Sequence, residues 1–422
     1  FIKKGRAKVV HEIDKPGFFY VDGEIRLLNH EFKNYGREER LAALELLDEL
    51  AAWYGFESEE RCLVDRYVAT LKWGIKAPFH YAYKQMKPGR WFPNIFLYGP
   101  SETAKTTMGR IVLKMWGLPT DSRYMRGGSS IDTVPRLGEI LSQSTFPILI
   151  IEPYGAFRNE DVREVIKSAT ESLVARGRFY HGTYQEIPAL TPLIVTSNKP
   201  LPPDDALRRR FDPILRFYHS EKIPKDVAKR FEEKVLPRLD LLAPIGTMIW
   251  ELVKEDYELI EKPLEILELL YENVKMKPPA WIYVDYRPPS EEELEEELTE
   301  SVRAYLVSAV NEASTKHIKR ITVGMEGREV SEASLEDRVK AVAMHNFLPW
   351  LYYANGRYVV TAALVEELRK RGLEVDSLKS LADMMKWRYD TVKIGGRPVK
   401  GAIIEEDDLH SFLGAEVEKE EH

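Results

Sequence analysis

The sequence predicts an α/β core with an N-terminal β/helical segment, a helical lid and a small C-terminal unit of three helices and a hairpin. Three observations lead there. Between residues 91 and 220, short apolar runs alternate with helical patterns, as in a parallel sheet covered by helices. A glycine-led loop closing on Lys-Thr joins one such run to one such helix. The 422 residues, 44% apolar and 31% charged, can bury real cores without disulfide or metal staples. At roughly 100–200 residues per domain they make two to four domains. The divisions fall at 1–90, 91–220, 221–334 and 335–422.

Composition narrows the function classes. Cys62 is the single cysteine, which excludes a disulfide framework and any CxxC zinc or redox site. No apolar run approaches the roughly 18 residues of a membrane span, and no signal peptide is visible. The expectation is a soluble, cytoplasmic protein with no membrane partner. The net charge of −7 excludes a globally basic coat protein, so nucleic-acid contact must come from local loops or one basic face. Glutamine occurs only at 85, 143 and 185, a hyperthermophile tendency beside so much charge. A start at Phe1 rather than Met suggests a piece of a longer product.

The elements follow in order. An Asp22-Gly23 turn between apolar runs over Phe18 to Leu28 signals a hairpin. Residues 37–54 and 58–86 read as helices, the first with Leu41, Leu44, Leu47 and Leu50 on one face. The core strands are Ile95-Phe96-Leu97-Tyr98, Ile148-Leu149-Ile150-Ile151 and Leu193-Ile194-Val195-Thr196. Residues 221–275 read as the helical lid. Pro278-Pro279 and Pro288-Pro289 bracket an irregular stretch, and the acidic run 291–300 reads as the solvated first turns of a helix. Helices near 335–346, 361–371 and 377–387 precede a strand-turn-strand from Asp390 to Ile404. That order is the order of a winged helix-turn-helix.

Residues 99–107 read Gly99-Pro100-Ser101-Glu102-Thr103-Ala104-Lys105-Thr106-Thr107. Between a strand and a helix, this is a Walker A phosphate loop, with Ala104 where glycine is usual. Backbone N–H groups at the helix N-terminus would hold the phosphates of ATP. Lys105 would meet the β/γ-phosphate charge, and the Thr106 hydroxyl would meet Mg²⁺. The alternative is an ordinary strand-turn-helix connection with an incidental Lys-Thr.

Ala before the lysine resembles the minichromosome maintenance helicases. The likeness extends over residues 90–220. Ile148 to Glu152 looks like Walker B. Val174 to Ile187 looks like a β-hairpin inserted before the next core strand, which ends in Thr196-Ser197-Asn198, similar to sensor 1. The segment Leu201 to Asp212 resembles the arginine-finger segment of these AAA+ ATPases. A hairpin in that place marks the clade holding the minichromosome maintenance and superfamily 3 helicases. The compact spacing from Lys105 to Glu152 looks more like superfamily 3, and in particular like the helicase portion of archaeal plasmid and virus primase-helicases. The resemblance implies ATP and Mg²⁺, a homo-oligomer, expected to be a hexamer, and an upstream primase-polymerase domain. It also implies an archaeal setting.

Each site residue follows from its place. Glu152 is the single carboxylate ending its strand and the expected second Mg²⁺ contact. Glu160 and Asp161 could supply a second acid but fit better as the start of the next helix. Asn198 would position water near the γ-phosphate. Arg210 stands where a cation would reach a neighbour's nucleotide, with Arg208 and Arg209 beside it and the choice among the three open. Arg178, Tyr180 and His181 surround the Gly182 turn of the hairpin, where cations and an aromatic suit a single DNA strand. Lys379, Lys386 and Arg388 on or just past the third helix, with Lys393, Arg397 and Lys400 on the wing, suit DNA phosphates, duplex included.

The sequence thus reads as the motor of a replicative DNA helicase. An initiator or loader switch without processive unwinding is the alternative. A scaffold with a degenerate nucleotide site is the third reading.

Overall fold

The computed structural model describes residues 14–56, 62–180, 183–202, 204–218, 221, 223–288, 290–318, 320–323, 326–329, 333–354, 356–370, 373, 375–406 and 408. The chain divides into two compact units, 1–288 and 289–422, at a boundary inside the predicted lid-and-connector stretch.

In the first unit, β1 (Gly17–Val21) and β2 (Glu24–Leu28) pair as the expected hairpin. Asp22 and Gly23 both take positive φ, 55° and 89°, which the twist of a two-residue hairpin loop requires. In α1 (Arg37–Trp53), Leu44, Leu47 and Leu50 are buried as predicted. The helix expected over 58–86 is α2 (Val64–Lys76) and α3 (His80–Met86), joined by a 3₁₀ turn at Ala77–Phe79. Pro78 lacks the N–H that an unbroken helix would need there. Residues 57–61 lie outside the described residues.

The core runs β3 (Asn94–Tyr98), α4 (Lys105–Met115), β4 (Met125–Gly127), a 3₁₀ turn at Gly128–Ile131, α5 (Val134–Leu141) and β5 (Ile148–Ile151). It continues through α6 (Tyr154–Phe157), α7 (Glu160–Glu171), the hairpin β6 (Val174–Tyr180) and β7 (Thr183–Pro188), β8 (Leu193–Ser197), α8 (Asp205–Arg208) and β9 (Phe211–Arg216). Five strands form one parallel sheet in the order β4-β5-β8-β3-β9. The three predicted strands are its buried centre. The two outer strands had no apolar-run signal: β4 is only Met-Arg-Gly, and β9 carries Asp212-Pro213. As an edge strand, β9 tolerates the proline, and the ladder shifts register between Asn94 and Phe96. The β6-β7 hairpin makes a separate sheet immediately before β8, where it was expected.

The stretch expected as the lid contains three helices, α9 (Lys225–Lys234), α10 (Ala243–Glu255) and α11 (Pro263–Asn273), with 3₁₀ turns between and after them. Alternation along the strands splits the packing. Ile95, Leu97 and Leu149 join α1–α4 and the lid in one apolar cluster. Phe96, Ile150 and Val195 face α5 and α7 in another. Asn94 pins the sheet's starting edge, donating to Thr170 Oγ1 at 3.0 Å and accepting from Leu193 N–H at 2.8 Å.

The second unit opens with α12 (Glu291–His317), whose Ser290 and Glu293 form a capping box. It continues through β10 (Arg320–Val323), β11 (Glu326–Glu329), α13 (Leu335–Met344), β12 (Leu351–Ala354) and β13 (Arg357–Val360). The chain then forms α14 (Ala363–Lys370), α15 (Leu378–Met384), β14 (Arg388–Ile394) and β15 (Arg397–Ile404). The antiparallel sheet has the order β12-β13-β15-β14. The three helices and final hairpin lie where the sequence put them. The β12-β13 pair does not appear in that reading, although Asn355-Gly356 between apolar runs is a hairpin signal.

Candidate active site

All five core strands run parallel, so their C-terminal ends share one edge. Tyr98 pairs with Ser197, Thr196 with Ile151, and Ile151 with Gly127. The loop after β3, Glu152 after β5 and Asn198 after β8 therefore emerge side by side. The loop expected to hold phosphate bends through Gly99 at φ 140°, where a Cβ would lie 2.2 Å from the Phe217 carbonyl oxygen. Glu102 and Ala104 are left-handed at φ 68° and 63°. Ala104 thus adopts the conformation that glycine usually supplies, at a cost of roughly 1–2 kcal/mol. It also caps α4, whose first-turn N–H groups have no intrahelical partner. Those groups, on Lys105, Thr106 and Thr107, open toward the loop.

Lys105 is 6% exposed. Its Nζ donates to the Gly99 carbonyl at 2.8 Å, to the Pro100 carbonyl and to Thr103 Oγ1 at 3.2 Å. Burial lowers its pKa to about 8, against the attraction of Glu152. Thr103 itself donates to the Pro100 carbonyl at 2.9 Å. Ser101 and Glu102 are exposed, and Thr106 and Thr107 are half-buried.

Glu152 is left-handed at φ 55°. Its N–H donates to the Thr196 carbonyl at 2.8 Å, and its Oε2 accepts the Asn198 N–H at 3.1 Å. The expected acid is thus in contact with the backbone of the expected polar sensor. Glu160 and Asp161 occupy the first turn of α7, with the Asn159 side chain capping it at the Asp161 N–H, 3.1 Å away. Among the described residues no cluster of three His, Cys, Asp or Glu could hold a metal alone. Thr106 and Glu152 fit Mg²⁺ as it is usually bound, through one or two protein oxygens together with phosphate oxygens.

A cavity of about 250 Å³ adjoins the loop, lined by Trp53, Tyr54, Ala104, Thr107, Arg110 and Phe231 among others. Trp53 and Phe231 meet edge to face at 5.6 Å. The Tyr54 hydroxyl is buried without a hydrogen-bond partner among the described residues. An apolar cavity with a few polar groups beside a phosphate loop suits a nucleobase. The segment before α9 reaches the loop through the Ile223 N–H, which donates to the Glu102 carbonyl at 2.9 Å. Sequence reasoning missed this cavity, because Trp53 and Phe231 meet only through the fold.

Arg210 lies at the opposite edge. It precedes β9, and its carbonyl accepts the N–H of Asn94, the first residue of β3. A five-residue strand, roughly 16 Å, separates that edge from the phosphate loop. The Arg210 guanidinium pairs with Glu171 on α7 and donates to the Ala206 carbonyl at 3.0 Å. Arg208 and Arg209 are exposed. Asp204 holds the same segment on α7 through Lys167 at 2.9 Å and Arg163 at 3.4 Å. At the end of α7, buried Lys84 donates to the carbonyls of Ala169, Ser172 and Ala189, and burial lowers its pKa to about 7.

At the hairpin tip, the side chains of Arg178 and Tyr180, and the whole of His181, lie outside the described residues. In the second unit, Lys379, Lys386, Lys393, Arg397, Lys400 and Arg388 are all exposed. Strand register sorts those of the wing. Lys393 and Lys400 share a face with Tyr389 and Ala402, the face that packs on the helices. Arg388 and Arg397 lie on the other face, and Arg388 pairs with Asp390 at 2.7 Å.

No protein-family model matches the chain, and no curated protein matches it. Among solved structures it resembles one described as the SCCmec type IV Cch active helicase. That match has 12% identity over 95% of this chain and 80% of that one, with a TM-score of 0.43. The apo C-terminal region of NrS-1 matches at 12% identity over 92% and 82% of the two chains, TM-score 0.32. A Thermotoga maritima RuvB mutant matches at 15% over 70% and 92%, TM-score 0.26. At such low identities and scores these likenesses decide nothing about this chain. No helix among the described residues is long and apolar enough to cross a membrane.

Proposed function

We propose that this chain is the ATP-hydrolysing motor of an AAA+ DNA helicase, acting as a homo-oligomeric ring, expected to be a hexamer. The observation that carries the reading is the shared strand-end edge of Lys105, Thr106, Glu152 and Asn198, with the Arg208–Arg210 triplet on the opposite edge. That division would let a second copy complete the site.

The N–H groups of Gly99–Thr107 and the Lys105 ammonium would hold the triphosphate, and the adjoining cavity the base. Thr106 and Glu152 would hold Mg²⁺, which when bound neutralises charge on β- and γ-phosphate oxygens. Asn198 would orient the attacking water, and Glu152, fixed by the Asn198 N–H, would polarise it. A neighbour's arginine would stabilise the charge spreading over the transferring phosphoryl group, a contribution of ~10³–10⁵ in rate. Arg208 and Arg209 suit that reach best, since Arg210 is committed to Glu171 within its own subunit. The β6-β7 hairpin would grip single-stranded DNA through Arg178, Tyr180 and His181. The winged-helix unit would contact duplex DNA through Lys379, Lys386, Lys393 and Lys400, with Arg388 and Arg397 reaching phosphates from the wing's other face. An upstream primase-polymerase domain and an archaeal, cytoplasmic setting belong to the same reading.

One observation favours the switch reading as second choice. The wing face bearing Lys393 and Lys400 belongs to a unit with its own core, which on this reading would bind duplex without any motor action. The test of the enzyme reading is a pair of variants. Lys105→Ala should lose ATP binding and hydrolysis, while Glu152→Gln should bind ATP and not turn it over. Normal turnover in Glu152→Gln would overturn the assignment of the acid.

A further inference from the structure

Glu152 must hold a backbone conformation that non-glycine residues avoid, at φ 55°, while its carboxylate faces the Asn198 N–H. Two hydrogen bonds hold it from the β8 side. The other side is closed by the turn at Gly128–Ile131, which follows the neighbouring strand β4. There Gly128 presses directly on the acid's own peptide. A Cβ built on Gly128 would lie 2.2 Å from the Glu152 carbonyl oxygen and 2.6 Å from Pro153 Cα. Both are backbone atoms, so no side-chain rotation relieves the overlap. Gly127, one residue earlier, has open space around its Cβ position.

We infer that Gly128 is a positioning residue for the Glu152 carboxylate: the bare Cα of the 128–131 turn clamps the Glu152–Pro153 peptide and thereby fixes the acid toward Asn198 and the Mg²⁺ shell. The inference rests on the reading of Glu152 as the acid. Adding a methyl group at Gly128 displaces the Glu152 peptide, and a shift on the order of 1 Å at a catalytic group costs about 10²-fold in rate. The phosphate loop and the base cavity, built on β3, α1 and the lid, stay as they are. Turnover and metal dependence therefore change while nucleotide affinity at saturating Mg²⁺ does not.

The experiment compares Gly128→Ala with Gly127→Ala, wild type and Glu152→Gln. Turnover is counted per site titrated with a fluorescent non-hydrolysable ATP analogue, so only folded protein contributes. Gly128→Ala should lose about 10²-fold in kcat with ATP KM unchanged. Mg²⁺ titration of analogue binding should need several-fold more Mg²⁺ for half-effect, and Gly127→Ala should match wild type in both readouts. Placed on Glu152→Gln, Gly128→Ala should cause no further loss. Normal turnover in Gly128→Ala with Glu152→Gln inactive would overturn this inference alone, as would loss of analogue binding or equal loss in Gly127→Ala. Normal turnover in Glu152→Gln would instead overturn the reading beneath it.

Discussion

The buried Lys105 ammonium predicts that nucleotide binding takes up a proton. Its pKa lies at about 8 in place of 10.5 because burial removes it from water, and loop oxygens alone do not restore the charged form. The difference corresponds to roughly 3 kcal/mol against the charged form in the free protein. A bound triphosphate supplies the missing charge and returns the lysine to the ammonium form. Below about pH 7.5 the lysine is already charged, so affinity should be nearly flat. Above pH 8, ATP affinity should fall about tenfold per pH unit, and at pH 9 binding should take up close to one proton. Stability has the opposite sign. A lowered folded-state pKa opposes folding below pH 8, so free wild type should gain on Lys105→Met as pH rises from 8 toward 10.5. Calorimetry in two buffers of different ionisation enthalpy at pH 7 and 9 reads the proton directly. Zero uptake at pH 9, or constant affinity up to pH 9.5, would refute the reasoning.

Three further outcomes follow from the geometry. Lys84→Met leaves the Ala169, Ser172 and Ala189 carbonyls without their buried donor and should cost roughly 3 kcal/mol in urea unfolding; a loss under about 1 kcal/mol would contradict the capping role. Arg209→Ala and Arg208→Ala should bind ATP normally, at least one should hydrolyse it poorly, and mixing that one with Lys105→Ala subunits should restore activity; no recovery in confirmed mixed oligomers would exclude a cation acting between subunits. Changing Arg178, Tyr180 and His181 together to Ala should spare basal ATPase and sharply reduce unwinding, since base stacking is worth about 1–3 kcal/mol per base; wild-type unwinding would remove the hairpin from the DNA path.

The central strands were legible because they are buried on both faces, so Ile95–Tyr98, Ile148–Ile151 and Leu193–Thr196 are nearly unbroken apolar runs. Once parallel, they bring Lys105, Glu152 and Asn198 to one edge, and the motif order alone predicts that meeting. The edge strands were not legible, since β4 and β9 each pair on one side only and need no apolar run. The cavity beside the loop was hidden for a different reason. Trp53 ends the apolar face of α1, but nothing in the sequence joins it or Tyr54 to Phe231, and their meeting depends on how α9 folds back on α1. Arg210 was legible as a cation but its pairing with Glu171 was not, because the two lie 39 residues apart in sequence. Gly128 was silent too: a glycine needed for close approach to another strand's peptide looks like any loop glycine.

The measurement that tests the central claim most directly is strand displacement on a forked DNA duplex, with ATPase followed in the same sample. Wild type should separate the strands only with hydrolysable ATP and Mg²⁺. Glu152→Gln should bind ATP and DNA yet displace nothing. Vigorous DNA-stimulated hydrolysis by wild-type oligomers with no displacement on any fork would contradict the motor and leave the loader switch in its place.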